Sequence, residues 1–126
     1  MNQPGTQGAV VALLNDLIFE TKIRSTAQAL GIQVAVVRSV GALSEELERV
    51  QPRLLLVDLN TPGPDAVQVV ATAHAHPTHP YVVAYVSHVE QDLARQAKDA
   101  GADQVMPRSR FNAELPQLLL THCTPA

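Results

Sequence analysis

Five short runs rich in valine and leucine, each followed by a longer stretch of helical period, are the feature that most limits what this chain can fold into. The runs are Val10–Leu14, Val34–Val37, Leu54–Val57, Tyr81–Val86 and Gln104–Met106. They are mostly continuous rather than alternating in polarity, as expected of strands covered by helices on both faces. Strand candidates that alternate with helical stretches predict βα units around a parallel sheet. Right-handed crossovers leave few topologies, and the expected one is an open five-stranded sheet of order 2-1-3-4-5. In that order the connections reverse between strands 1 and 3, opening a crevice at their carboxyl ends where ligands bind.

The intervening stretches carry helix signals. Phe19, Ile23, Thr26, Ala27 and Leu30 share one helical face, and Gly31 follows as a stop. Leu43, Leu47 and Val50 form a second stripe, with Ser44 near its start and Pro52 beyond its end. A third helix is expected from Pro64 and Asp65, burying Val67, Val70 and Ala73. The fourth is expected from Glu90 to Ala100, stopping at Gly101, and the fifth after Asn112, burying Leu115 and Leu118 or Leu119.

With 126 residues the chain is long enough for one domain with its own core. We read residues 9–121 as that domain, 1–8 as a flexible N-terminal tail and 122–126 as a flexible C-terminal tail. Nine Lys plus Arg and a net charge of -3, with the basic residues scattered, offer no footprint for nucleic acid or an anionic membrane. No apolar run approaches the ~18 residues of a membrane span, and the first residues lack a signal core. The lone Cys123 cannot form an internal disulfide, which suits a cytoplasmic location.

Chemistry is expected where strands 1 and 3 end. Asp58 closes the run Leu54–Val57, and Asn15 and Asp16 follow strand 1. Carboxylates there suit a hard cation such as Mg²⁺, which prefers oxygen ligands. Asp16, Asp58 and the backbone carbonyl near Asn60 are the candidate donors. Asp16 is equally suited to cap the first helix, and Asn60 to shape its loop through side-chain hydrogen bonds.

The segment Asp58-Leu59-Asn60, with Pro62-Gly63 and Asp65, resembles the phosphoacceptor loop of response-regulator receiver domains, a flavodoxin-like fold. Ala100-Gly101-Ala102-Asp103 resembles the turn between helix 4 and strand 5 of that family. The resemblance spans about residues 9 to 121. It implies phosphorelay signalling, with Asp58 taking a phosphoryl group from a histidine kinase or phosphotransfer protein, Mg²⁺ assisting, and a downstream protein as target. It also implies a module that is not itself an enzyme.

Several positions depart from the family pattern. Two adjacent acids usually end strand 1; here the pair is Asn15-Asp16, either of which can fall at the metal-ligand position, and metal affinity should drop with the lost charge. Val86 stands where a hydroxyl contacts the phosphoryl group, with Ser87 one residue on, either substituting for it or capping helix 4. Arg108 replaces the lysine of strand 5 and Ser109 the proline after it, which argues against a cis peptide there. We expect Arg108 to pair with Asp58 as an internal cation. Val105 replaces the aromatic switch residue. These departures predict a stand-alone, atypical receiver with impaired phosphorylation, or else a phosphate-independent pseudo-receiver acting through protein contacts. Helix 4, strand 5 and helix 5 are the expected face for a partner or a homodimer. A flavodoxin-like enzyme is disfavoured, because no Gly-rich phosphate loop follows strand 1 and no nucleophile elbow appears. His74, His76 and His79 match no common zinc spacing and are read as a solvated connection; His88 and His122 are assigned no role.

Overall fold

The computed structural model describes residues 10–61, 66–87 and 91–123. Its elements are β1 (Val10–Leu13), α1 (Leu17–Ala29), β2 (Val34–Val37), α2 (Val40–Val50), β3 (Leu54–Asp58), α3 (Ala66–Ala75), β4 (Tyr81–Val86), α4 (Gln91–Ala100), β5 (Gln104–Pro107) and α5 (Arg108–Cys123). All five strands pair in parallel in the order β2-β1-β3-β4-β5. The expected topology is therefore the observed one. The residues read as the start of the third helix, Pro64 and Asp65, lie outside the described residues, as do Pro62, Gly63, His88 and Glu90.

Strand parity divides the core in two. Val11, Leu13, Leu55, Val57, Val82, Ala84 and Val86 pack with Leu43, Leu47, Val69, Val70 and Ala97 of α2, α3 and α4. Val10, Ala12, Leu54, Leu56, Val83 and Tyr85 face the other way, onto Phe19 and Ile23 of α1 and Phe111, Leu115 and Leu119 of α5. Burial of these apolar side chains, at ~25 cal/mol per Å² of apolar area, is the main force holding the layers together. The same parity puts Asp58, two residues after Leu56, on the α1/α5 side, paired in register with Tyr85.

The strand ends differ from the sequence reading by at most one residue, and the helices differ more. α2 begins at Val40, capped by Ser39, whose Oγ accepts from the Ala42 amide at 3.2 Å; Gly41 is tolerated in the first turn. In α3, Val67 is only half-buried, whereas Val69 and Val70 are fully so. The largest difference is α5, which leaves β5 with no loop at all and begins at Arg108 rather than after Asn112. Phe111 explains the earlier start: it is buried on the aromatic side of the core and can reach it only if the helix has already begun. Pro116 then sits inside the helix rather than in its first turn, leaving the Asn112 carbonyl without its helical donor. α5 also runs past the boundary read at 121, through Cys123, which is buried, and His122 stacks on Tyr81 at 3.9 Å between ring centroids.

At the far end of the sheet, Gly101 adopts φ +117° and lies so close to His74 that a Cβ would strike the imidazole. His76 joins Glu48 of α2 at 2.8 Å and bonds Thr78 at 2.9 Å. The histidine connection is thus partly a packing element, with His74 and His76 taking structural contacts. Among the described residues no group of three His, Cys, Asp or Glu side chains is placed to hold a metal ion.

Candidate functional site

β1 and β3 are neighbours with Leu13 opposite Val57, so Leu14 is level with Asp58 and Asp16 lies just beyond, at the mouth of the crevice. Asp16 has extended backbone angles and caps α1: its Oδ1 accepts from the amides of Ile18 and Phe19 at 3.0 and 3.1 Å. Such a cap satisfies donors the helix cannot use internally. Asn15 is exposed.

Asp58 is buried, and its loop holds it. Its Oδ1 accepts from the Asn60 amide at 2.9 Å, while its carbonyl accepts from the Thr61 amide and hydroxyl at 3.1 and 2.8 Å. Oδ2 accepts no hydrogen bond from the described residues. The Asn60 Oδ1 takes the Ser87 amide at 2.7 Å, clamping the loop after β3 to the loop after β4. Asn60 therefore shapes the loop as its residue type suggested. Ser87 is exposed, Val86 is buried at the end of β4, and Val105 is half-buried on the α4 side of β5, away from the aromatic cluster of the crevice.

The expected pairing of Arg108 with Asp58 is not the one observed. Arg108 forms an ion pair with Asp16, its Nη2 meeting Oδ2. The cause is the early start of α5: with no loop after β5, Arg108 sits in the first helical turn, and its guanidinium lies over the Phe19 ring, 4.7 Å from the centroid. A cation at a helix N-terminus opposes the helix dipole, and the Asp16 carboxylate offsets it. Asp16 thus serves two helix starts, capping α1 through one oxygen and neutralising the first residue of α5 through the other. No peptide bond among the described residues is cis, including that before Ser109.

Sequence reasoning missed an aromatic cluster beneath this pair. Tyr85 stacks on Phe111 at 4.3 Å and meets Phe19 edge-on at 5.4 Å, and its buried hydroxyl has no hydrogen-bond partner among the described residues. A signal existed: Phe19 follows Asp16 by three residues and Phe111 follows Arg108 by three, so each charged partner carries a phenylalanine one helical turn on.

The charges respond to these surroundings. Arg108, with help from the Phe19 amide, holds Asp16 below the usual carboxylate range. Burial pushes Asp58 the other way, against the Asn60 amide and the Arg108 charge. Burial also raises the Tyr85 phenol, with the Asp58 charge adding to it. A divalent cation needs open oxygen ligands. With both Asp16 oxygens engaged, the described acids of the crevice present only Asp58 Oδ2 freely, so these side chains fit such an ion poorly while Arg108 stays in place.

No protein-family model and no curated protein matches the sequence. Solved structures do. The signal receiver domain of a response regulator from Bermanella marisrubri superposes with a TM-score of 0.81 at 17% identity, over 94% of this chain and 99% of that one. The chain has the receiver fold. Another receiver-fold structure, the BeF3-activated N-terminal receiver domain of Klebsiella pneumoniae RstA, gives 0.80 at 20% identity, over 93% and 99% of the two chains. The Mn²⁺-bound form of the response regulator Rcp1 gives 0.71 at 16%, over 90% and 89%. No helix among the described residues is long and apolar enough to cross a membrane.

Proposed function

We propose that this chain is an atypical response-regulator receiver in two-component phosphorelay signalling, with Asp58 as a phosphoacceptor whose chemistry is impaired. The observation that carries the reading is the setting of Asp58. It ends the central strand at the crevice, with one oxygen fixed by the Asn60 amide and the other free to act as a nucleophile. In the reaction, Oδ2 attacks phosphorus, the bond from phosphorus to the donor's leaving atom breaks, and an acyl phosphate forms on Asp58. Such transfers depend on positioning and on positive charge meeting the transferring oxygens.

The impairment follows from Asp16. Mg²⁺ would be held by Asp58 with Asp16 and the Asn60 carbonyl and would neutralise the transferring oxygens, but Asp16 is already taken by Arg108, so binding is weak. The Mn²⁺-bound form of Rcp1 and the BeF3-activated form of RstA share this fold, and they support a reading in which this chain takes a divalent cation. The chain is not itself an enzyme in this reading. Its partners are a histidine kinase or phosphotransfer protein and a downstream protein target, in the cytoplasm. Leu17 and Ile18, 67% and 85% exposed beside Asp16, are apolar residues suited to a protein contact at the crevice rim. A homodimer through α4, β5 and α5 belongs to the same proposal.

The second reading, a phosphate-independent pseudo-receiver, is favoured by the ion pair that occupies Asp16. Incubation with acetyl phosphate and Mg²⁺, followed by intact-mass measurement with Asp58→Asn as control, separates the two. Slow, incomplete addition of one phosphate, absent from the control, is the expected result. Rapid and complete addition contradicts the impairment, and persistent absence of the adduct leaves the pseudo-receiver as the better account.

A further inference from the structure

We infer that Arg108 is the resident cation of the crevice and competes directly with any divalent metal ion for Asp16. The inference rests on the cation placement of the phosphoacceptor reading and deepens it, but its readout is metal binding and not phosphorylation, so the two can fail separately.

Three observations converge on it. The first is the ion pair itself, which spends the one Asp16 oxygen not committed to capping α1. The second is the seat of the guanidinium. It is anchored on the first residue of α5 and rests on the face of Phe19, a ring that edge-on contact with Tyr85 and tilted contact with Phe111 hold in place. A cation over an aromatic face is held by the ring quadrupole as well as by its carboxylate. The third is the charge sum: Asp16 and Asp58 contribute two negative charges to the crevice and Arg108 returns one. A divalent ion entering there must displace the guanidinium from Asp16 or bind with a single acid and an adjacent positive charge. Both routes weaken it.

Removal of Arg108 should therefore create affinity rather than destroy it. Binding of Mn²⁺ alone is measured by the loss of the free-ion electron paramagnetic resonance signal, for the full chain and for Arg108→Ala. The native chain is expected to bind weakly and Arg108→Ala about two- to fivefold more tightly, the size expected for freeing a partly exposed carboxylate from its partner. Arg110→Ala is the control for net charge: Arg110 is two residues along and pairs with Glu114 at 2.6 Å, outside the crevice, so its loss should leave Mn²⁺ affinity as in the native chain. Adding Asp16→Asn to Arg108→Ala should abolish the gain. Should Arg108→Ala fail to fold, Arg108→Met keeps an unbranched stem over Phe19 and is read in the same way. The inference is overturned if the Arg108 variants bind Mn²⁺ no more tightly than the native chain, if Arg110→Ala gains as much, or if the gain survives Asp16→Asn.

Discussion

Arg108, the first residue of α5, is ion-paired with Asp16, the N-cap of α1, and the bond ties together two helices that begin 91 residues apart in the chain. Both side chains are about one-third exposed, 34% and 36%, so solvent screens the pair. A double-mutant cycle with Arg108→Ala and Asp16→Asn should give a coupling free energy of ~0.5–1 kcal/mol in urea denaturation, as exposed pairs usually do. Asp16→Asn alone should cost little as a cap, because Asn caps about as well as Asp. A coupling near zero would mean that the pair does not persist in solution.

Gly101 is confined twice, by its positive φ of +117° and by the His74 imidazole against its α-carbon. Gly101→Ala should destabilise the fold by about 2–3 kcal/mol, towards the large end for single substitutions. Combining it with His74→Ala should recover the steric part and leave the conformational part. Full recovery in the double variant would show that backbone strain contributes nothing.

Tyr85→Phe keeps the ring between Phe19 and Phe111 and removes a buried hydroxyl that has no partner among the described residues. A buried polar group without a hydrogen bond costs free energy, so the variant should be unchanged or more stable by up to ~1 kcal/mol. A clear loss of stability would reveal a hydrogen bond to the hydroxyl in solution.

The sheet was legible because Leu54–Val57 and Tyr81–Val86 are short continuous apolar runs, as buried parallel strands require, and each alternates with a stretch of helical period. Asp58 was legible for the same reason, as an acid closing such a run. The pairing of Arg108 was not, because it depends on where α5 begins. The sequence reading placed that start after Asn112, and the burial of Phe111 between α1 and β4 forces an earlier one. The start of α2 was read too late in the same way. The sequence pointed to Ser44, whereas the observed cap is Ser39 and α2 begins at Val40, with Leu43 and Leu47 packed into the core. The orphaned phenol of Tyr85 leaves no trace in sequence, because it depends on which neighbours fold against it.

Asp58 gives the last prediction, and its sign follows from its surroundings. Burial raises its pKa above the ordinary 3.8, so the folded chain holds the ionised form less willingly than the unfolded chain does. At neutral pH the carboxylate is charged in both states and its desolvation weighs against folding. As pH falls through the raised folded value towards 3.8, the folded chain takes up its proton first, and the penalty fades. Asp58→Asn keeps an oxygen for the Asn60 amide but carries no charge, so it should melt at a higher temperature than the native chain at pH 7. That advantage should shrink steadily on acidification and vanish once Asp58 is protonated in both states. Such a profile, from thermal melts of both proteins between neutral and acidic pH, is what is expected of a carboxylate kept for chemistry at the expense of stability. An advantage independent of pH would assign the difference to packing instead, and a native chain more stable than the variant at pH 7 would mean that Arg108 offsets the burial of Asp58 after all.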